Sequence, residues 1–206
     1  MKILIGCEFS GTVGDTFTRL GHDVLTCDLL PTDSAITPHY QGDIMDVIED
    51  AWEMALLFPP CTYLCSSGLH WNKRVPERAE KTEEALKFVE KLMSMDHIKY
   101  MALENPVGCI SSRIRKPDQM IQPYNFGEDA SKKTCLWLKN LPPLENTGYV
   151  EPRMIIGPSG KPLKRWANQT DSGQSNLGPS EDRWKIRSLT YKGIAQAMGQ
   201  QWGEIA

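Results

Sequence analysis

The chain reads as an α/β protein, a doubly wound and mostly parallel sheet in a single domain. Three observations lead to that reading. Short, mostly apolar runs recur through the first half (Lys2 to Phe9, Asp23 to Leu29, Met54 to Phe58, Ile98 to Leu103), as expected of strands covered on both faces. Segments with apolar residues at helical spacing lie among them, at Asp15 to Leu20 and Pro76 to Met95. The runs stop at glycine, proline or an acid, the residue types that end a ladder and leave polar groups at the sheet's edge. Strands alternating with helices imply a parallel sheet wound by crossovers.

Taken in order, the first strand is followed by a turn at Ser10-Gly11-Thr12-Val13-Gly14 and a helix that Gly21 closes. "DVLTCDL" is the second strand, Pro31 to Tyr40 a loop, and "GDIMDV" from Gly42 a strand end or turn. In "LLFPPCTYLCSSG" an apolar strand ends at Pro59-Pro60, which have no amide to donate, and Cys61 follows at the exit. Pro76 to Met95 is the clearest helix, with Ala79, Ala85, Phe88, Val89 and Leu92 along one side. The strand Ile98 to Leu103 runs into Glu104-Asn105-Pro106. Beyond Gly108 the texture changes, and "KKTCLWLKNL" (132–141) is the one strong strand candidate before a final helix, Gly193 to Trp202. Residues 1–144 thus read as the core, 145–190 as a turn-rich insertion and 191–206 as a helix packing back on the sheet.

A chain of 206 residues, 40% hydrophobic and 24% charged, has the composition of a globular protein large enough to bury a core. No apolar run approaches the roughly 18 residues of a membrane helix, and Met1 to Gly6 is too short for a secretory signal, so a cytoplasmic protein without membrane contact is expected. The six cysteines, at 7, 27, 61, 65, 109 and 135, sit in apolar segments and read as reduced thiols. Cys61, Cys65 and His70 lie close in sequence but lack a tight Cys-x-x-Cys pair, so no metal site is expected. Net charge is −3, unevenly spread: residues 1–103 hold 9 Lys and Arg against 16 Asp and Glu, and residues 104–206 hold 14 against 10. A basic face on the second half suits phosphate contact.

In doubly wound sheets ligands lie at the carboxyl ends of the strands. The first such end is "CEFSGTVG", whose glycines admit close backbone approach and whose helix start offers amide donors. The second is Asp28, an acid placed to accept from ribose hydroxyls or simply exposed in a loop. Asp43 accepts from an adenine amino group or caps a turn. Cys61 is a nucleophile if its thiolate is favoured, otherwise a buried thiol. Glu104 holds a protonated ring nitrogen or bonds to backbone amides.

These residues in this order resemble the cytosine-5 DNA methyltransferases. Phe9-Ser10-Gly11 through Gly14 is similar to the family's cofactor loop, Asp28 falls where it keeps an acid for the ribose, and Gly42-Asp43-Ile44 resembles its adenine-contacting turn. Pro60-Cys61, with Gly68 seven residues on, resembles the Pro-Cys nucleophile loop, and Glu104-Asn105 the Glu-Asn-Val catalytic segment. The resemblance covers roughly the first 110 residues and implies a Rossmann-like class I fold, S-adenosyl-L-methionine as cofactor and DNA as partner. It implies Cys61 and Glu104 as catalytic residues, and Phe9, Ser10, Gly11, Gly14, Asp28, Asp43 and Pro60 as the cofactor set. Cys61 would add to carbon 6 of cytosine while Glu104 engages ring nitrogen 3 and the exocyclic amine.

The chain departs from the pattern in places. Thr62 stands where the family has Gln, Pro106 where it has Val, and Lys132-Lys133 are the nearest stand-in for its Gln-x-Arg-x-Arg motif. The long target-recognition domain is missing, as in small methyltransferase-like proteins of phage genomes. "RWANQT" and "EDRWKIRS" mix Arg, Lys and Trp, a mixture suited to phosphate contact and base stacking or to local packing. Asn105, Lys132, Lys133, Arg165, Arg183 and Arg187 are accordingly the expected substrate contacts. Two other readings stay open: the same chemistry on a free pyrimidine nucleotide or RNA, and a non-catalytic nucleotide- or partner-binding protein on the same fold.

Overall fold

The computed structural model describes residues 1–205. A seven-stranded, mostly parallel sheet forms its centre, flanked by helices. In chain order the elements are β1 (Lys2–Gly6), α1 (Thr12–Arg19), β2 (Asp23–Asp28), β3 (His39–Gln41), β4 (Met54–Leu57), α2 (Ser66–Leu69), α3 (Pro76–Met93), β5 (Tyr100–Pro106), α4 (Ile110–Arg113), β6 (Gln119–Ile121), β7 (Thr134–Lys139), β8 (Arg153–Ile156), β9 (Pro162–Arg165), α5 (Arg183–Ser188) and α6 (Lys192–Trp202). Across the sheet the strand order is β3-β2-β1-β4-β5-β7-β6. β7 runs antiparallel to both its neighbours; the other pairings are parallel. The chain winds outward from β1 to β3, then returns to β4 beside β1 and proceeds the other way. That reversal leaves a crevice at the carboxyl ends of β1 and β4, the place where doubly wound sheets bind ligands.

Burial on both faces accounts for the unbroken apolar runs. Ile3, Ile5, Met54 and Leu56 pack with Val13 and Phe17 of α1 and with Ile194, Met198 and Trp202 of α6. Leu4, Ala55, Leu57 and Leu103 face the other way, against Leu86, Val89 and Leu92 of α3. Alternate residues of each strand therefore feed two cores, as the period of two requires. The apolar side of α3 centres on Thr82, Leu86, Val89 and Leu92, with Ala79, Ala85 and Phe88 only half-buried.

Several short elements were not expected. His39–Gln41 pairs with β2 inside the presumed loop, "IMD" at 44–46 is a single 3₁₀ turn, and β6 and the separate β8–β9 hairpin lie in the turn-rich second half. Three- and four-residue strands carry too little periodicity to be read locally. Two further differences bear on the site. α1 begins at Thr12, which places Gly14 in the helix and not in the turn before it. β5 runs on through Glu104-Asn105-Pro106, paired with Leu136, Cys135 and Thr134 of β7, so Glu104 lies within the ladder.

No helix among the described residues is long and apolar enough to cross a membrane.

Candidate active site

β4 ends for a local reason. The Phe58 amide makes its last ladder bond to the Gly6 carbonyl at 2.9 Å, and Pro59 and Pro60 then have no amide to offer. The Pro59 carbonyl would be stranded, but Asn105 on the neighbouring β5 donates its Nδ2 to it at 2.8 Å. Asn105 is 1% exposed, and this bond ties the Pro-Cys turn to the Glu104 segment across the strand ends. The remaining oxygen of Asn105, Oδ1, is buried without a partner.

From Cys61 the chain coils. The amides of Leu64 and Cys65 both donate to the Cys61 carbonyl at 3.0 Å, and the Gly68 amide donates to the Cys65 carbonyl at 3.1 Å. α3 grips the coil from outside: Arg78 donates to the Thr62 carbonyl at 2.6 Å and the Gly68 carbonyl at 3.3 Å, and Thr82 donates to the Tyr63 carbonyl at 2.9 Å. On its other side the coil is stitched to the segment after β5, with the Ser66 amide on the Val107 carbonyl and the Cys109 amide on the Leu64 carbonyl, both at 2.9 Å. Gly108 makes that contact feasible, since a Cβ there would run into the Leu64 carbonyl and the Cys65 backbone. Gly108→Ala is expected to destabilise the protein by about 3 kcal/mol, because backbone on both sides must give way. Thermal unfolding should show a midpoint lowered by roughly 6–12 °C; an unchanged midpoint would mean that the stitch is loose.

Cys65 follows Cys61 by one turn of the coil, and Glu104 and the Lys132 ammonium lie in the electrostatic surroundings of Cys61. The neighbouring Cys65 and burial push the Cys61 thiol up, with the Glu104 charge adding to the effect and Lys132 opposing it. Burial likewise raises the Glu104 carboxyl, against the Lys132 ammonium and the Thr134 hydroxyl. Glu104 keeps part of its surface open, toward a small hollow of about 10 Å³, room for a single water. Lys132 and Thr134 line that hollow on the sheet side; Leu189, Thr190, Tyr191 and Ile194 line it opposite. Lys132 also donates to the Arg187 carbonyl of α5 at 3.0 Å. Lys133, next in sequence, is exposed and lies near Cys135.

At the end of β1 the backbone turns through Cys7 at φ 59°, a conformation that costs energy for any residue with a Cβ. Gly11 precedes α1 at φ 72° and has no room for a Cβ against Ser34. Gly14 lets α1 close on β2, as a Cβ there would strike Thr26. Phe9 is buried, and Ser10 bonds to the Glu8 carboxyl. Asp28 ends β2, half-buried and accepting from the Leu30 amide at 2.9 Å; burial raises its carboxyl despite that amide and His39. Asp43 is exposed and caps the 3₁₀ turn, accepting from the Met45 amide at 3.0 Å, while Pro60 stands exposed beside Cys61. The candidate cofactor residues thus lie along the strand ends: Phe9, Ser10, Gly11 and Gly14 after β1, Asp28 at the end of β2, Asp43 after β3 and Pro60 after β4.

No protein-family model matches the chain, and no curated protein matches it either.

Three site residues escaped the reading of the sequence. Glu8, 4% exposed, accepts from the Ser10 hydroxyl, burial raises its carboxyl, and one of its oxygens, Oε2, has no hydrogen-bond partner. An acid buried in an apolar strand end was the available signal. Cys65 reads in the sequence only as a candidate metal ligand, although it stands four residues from Cys61. Lys185 of α5 lies 4.8 Å over the Phe9 ring and 3.4 Å from Asp33, so α5 straddles the crevice, with Lys185 on the β1 side and Arg187 on the Cys65 side.

The remaining expected contacts divide. Arg183 opens α5, half-buried, and Arg187 reaches the Cys65 thiol electrostatically. Arg165 is occupied on the hairpin, its guanidinium bonding to the Asp171 and Lys164 carbonyls, and does not join the site. Trp166 does not present itself to a base. It is buried, stacked 4.1 Å from the Tyr124 ring, and donates to the Val150 carbonyl. Trp184, 59% exposed on α5, remains open for stacking. All six cysteines are free. Among the described residues no three His, Cys, Asp or Glu side chains cluster to hold a metal ion.

Proposed function

We propose that this chain is a minimal cytosine-5 methyltransferase of the class I, Rossmann-like kind, modifying DNA with S-adenosyl-L-methionine through a covalent adduct at Cys61. The observation that carries the proposal is the Asn105–Pro59 bond, which ties the Pro-Cys turn to the strand that bears Glu104 across the ends of β4 and β5. A nucleophile and an acid held together in that way suit addition to a heterocycle whose neighbouring nitrogen must be protonated.

The raised Glu104 carboxyl keeps its proton to higher pH than an exposed glutamate, so it donates to nitrogen 3 of the cytosine ring. The Cys61 sulfur forms a bond to carbon 6, and the electron pair of the carbon 5–carbon 6 double bond moves into the ring, leaving carbon 5 nucleophilic. Loss of the carbon 5 proton later returns the electrons and expels Cys61. Lys132 stabilises negative charge on both partners. In duplex DNA the base must first leave the stack. Arg187 and the exposed Trp184 of α5 stand at the mouth of the crevice, suited to phosphate and base contact.

The cofactor's fit rests on the acceptor at the start of α1. There the Thr12 amide donates to the Ser10 hydroxyl at 3.2 Å, and the buried Glu8 carboxyl, raised by its burial, keeps one oxygen unpartnered. That end suits a hydrogen-bond donor on the ligand better than a nucleotide phosphate. Phe9, Ser10, Gly11 and Gly14 with Glu8, then Asp28 and Asp43, and Pro60 beside Cys61, are the residues that would hold S-adenosyl-L-methionine. When bound it supplies an electrophilic methyl group on a sulfonium.

The test is trapping. Mixed with the cofactor and duplex DNA containing 5-fluorocytosine, the protein should gain the mass of the methylated strand at Cys61, since fluorine replaces the proton that must leave. RNA and mononucleotide analogues run in parallel identify the substrate class. No adduct on any of them refutes the proposal.

A further inference from the structure

We propose that residues 183–190, α5 and the link to α6, form a lid closed over Glu104, and that a target base enters only when this lid swings away from the sheet. The inference rests on the methyltransferase reading for what enters; the lid itself stands on contacts within the chain. In the closed arrangement the Glu104 carboxyl meets a hollow of about 10 Å³, enough for one water and far too small for a pyrimidine. Lys132 and Thr134 wall it on the sheet side, and Leu189, Thr190 and Tyr191 wall it opposite. Glu104 is held in the ladder between β5 and β7, so the acid cannot come out to meet a base. The wall that can retreat is the link.

α5 is docked by a latch and not by a core. None of its residues is buried, and Trp184 and Ile186 are 59% and 48% exposed. Lys185 lies 3.4 Å from the Asp33 carboxylate and 4.8 Å over the Phe9 ring. The Asp33 amide is itself bonded to the Phe9 carbonyl at 2.9 Å, so both contacts end on one dock. At the other end of the helix the Lys132 ammonium donates to the Arg187 carbonyl at 3.0 Å. Surface ion pairs of this kind contribute little and are readily exchanged for water or phosphate.

The flanking chain defines the swing. α6 cannot follow, because Ile194, Ala195, Met198 and Trp202 are buried and the Gly193 amide donates to the Glu128 carboxyl at 2.9 Å. Tyr191 packs against the same core, which places the hinge at Thr190. Upstream, residues 178–182 are all exposed, and a Cβ at Gly178 would meet nothing. Opening frees the Lys132 ammonium from the Arg187 carbonyl and makes it available to the substrate. It also lifts Lys185 from Phe9, so the β1 end and Glu104 are uncovered together.

Hydrogen exchange and a zero-length tether test this on the whole chain. Without substrate, the amides of 183–190 should exchange at least about 10²-fold faster than those of α6 beyond its first turn. Asp33→Asn should accelerate 183–190 a further two- to fivefold, roughly, and leave α6 unchanged. A carbodiimide then activates the Asp33 carboxyl, and the Lys185 amine displaces the activating group to form an amide, identified by its cross-linked peptide. The tethered protein should form the 5-fluorocytosine adduct at least about tenfold more slowly than Asp33→Asn carried through the same treatment, in which the link cannot form. Protection of 183–190 equal to that of α6, no acceleration in Asp33→Asn, or an unslowed adduct in the tethered protein overturns the lid. If the untreated wild type forms no adduct on any substrate, the methyltransferase reading falls instead, and the exchange rates still decide whether the lid opens.

Discussion

Cys61→Ala should lower methyl transfer by at least about 10⁴-fold and leave cofactor binding within about twofold of the wild type. The expectation follows from the separation of tasks along the sheet. Cys61, the proposed nucleophile, follows β4 after Pro60, whereas the residues proposed to hold the cofactor lie mainly at the ends of β1 and β2, with Phe9 buried and Asp28 half-buried. Removing one sulfur deletes the covalent route and leaves the hydrogen bonds of the β1 end in place. Incorporation of labelled methyl into DNA and calorimetric titration with S-adenosyl-L-methionine measure the two effects separately. Full activity in Cys61→Ala would end the proposed mechanism. Joint loss of transfer and binding would show instead that the two regions are coupled.

Glu104→Gln is expected to cost roughly 10²- to 10⁴-fold in methyl transfer, because an amide keeps the shape of the carboxyl but delivers no proton. The same substitution carries a second signature, in stability. The Glu104 carboxyl is raised mainly by burial, so its ionised form is the disfavoured one in the folded protein. The folded state then binds the proton more tightly than the unfolded chain does. Stability tied to this group is complete below the ordinary glutamate range and is lost as pH rises through the raised value. Glu104→Gln removes that loss. Its melting temperature should exceed that of the wild type at pH 8, and the advantage should shrink toward pH 4. Parallel melting curves at the two pH values check the sign; a greater advantage for the variant at pH 4 would show that the carboxyl is stabilised as its anion.

Both predictions meet at Asn105. Its Nδ2 bond to the Pro59 carbonyl crosses 46 residues of chain, and the bond exists because a proline pair frees one carbonyl where β5 happens to present an amide. "FPPC" and "ENP" were each legible as strand ends. Their joining was not, since neither stretch encodes its neighbour in the sheet. Cys65 shows a different kind of oversight: four residues from Cys61, it needed only the recognition that the chain coils after Pro60. Trp166 shows the opposite case. Its setting between Arg165 and Asn168 suggested a surface for nucleic acid, yet the ring is buried on Tyr124. Composition cannot distinguish an aromatic that meets a base from one that meets another aromatic.

The fold class, the approximate positions of four main strands and the two longest helices, and the chemical types at the strand ends followed from sequence alone. Those features depend on periodicity and on residues that terminate a ladder, and both act over a few neighbouring residues. Tertiary structure decided the rest: the antiparallel β7, the short β3 and β6, and the reach of Lys185 back to Asp33 across 152 residues. It also decided which charges face Cys61 and which face Cys65. A pairing between distant segments depends on the competition among all available partners for the same surface and hydrogen bonds, and no short stretch of the chain contains that competition.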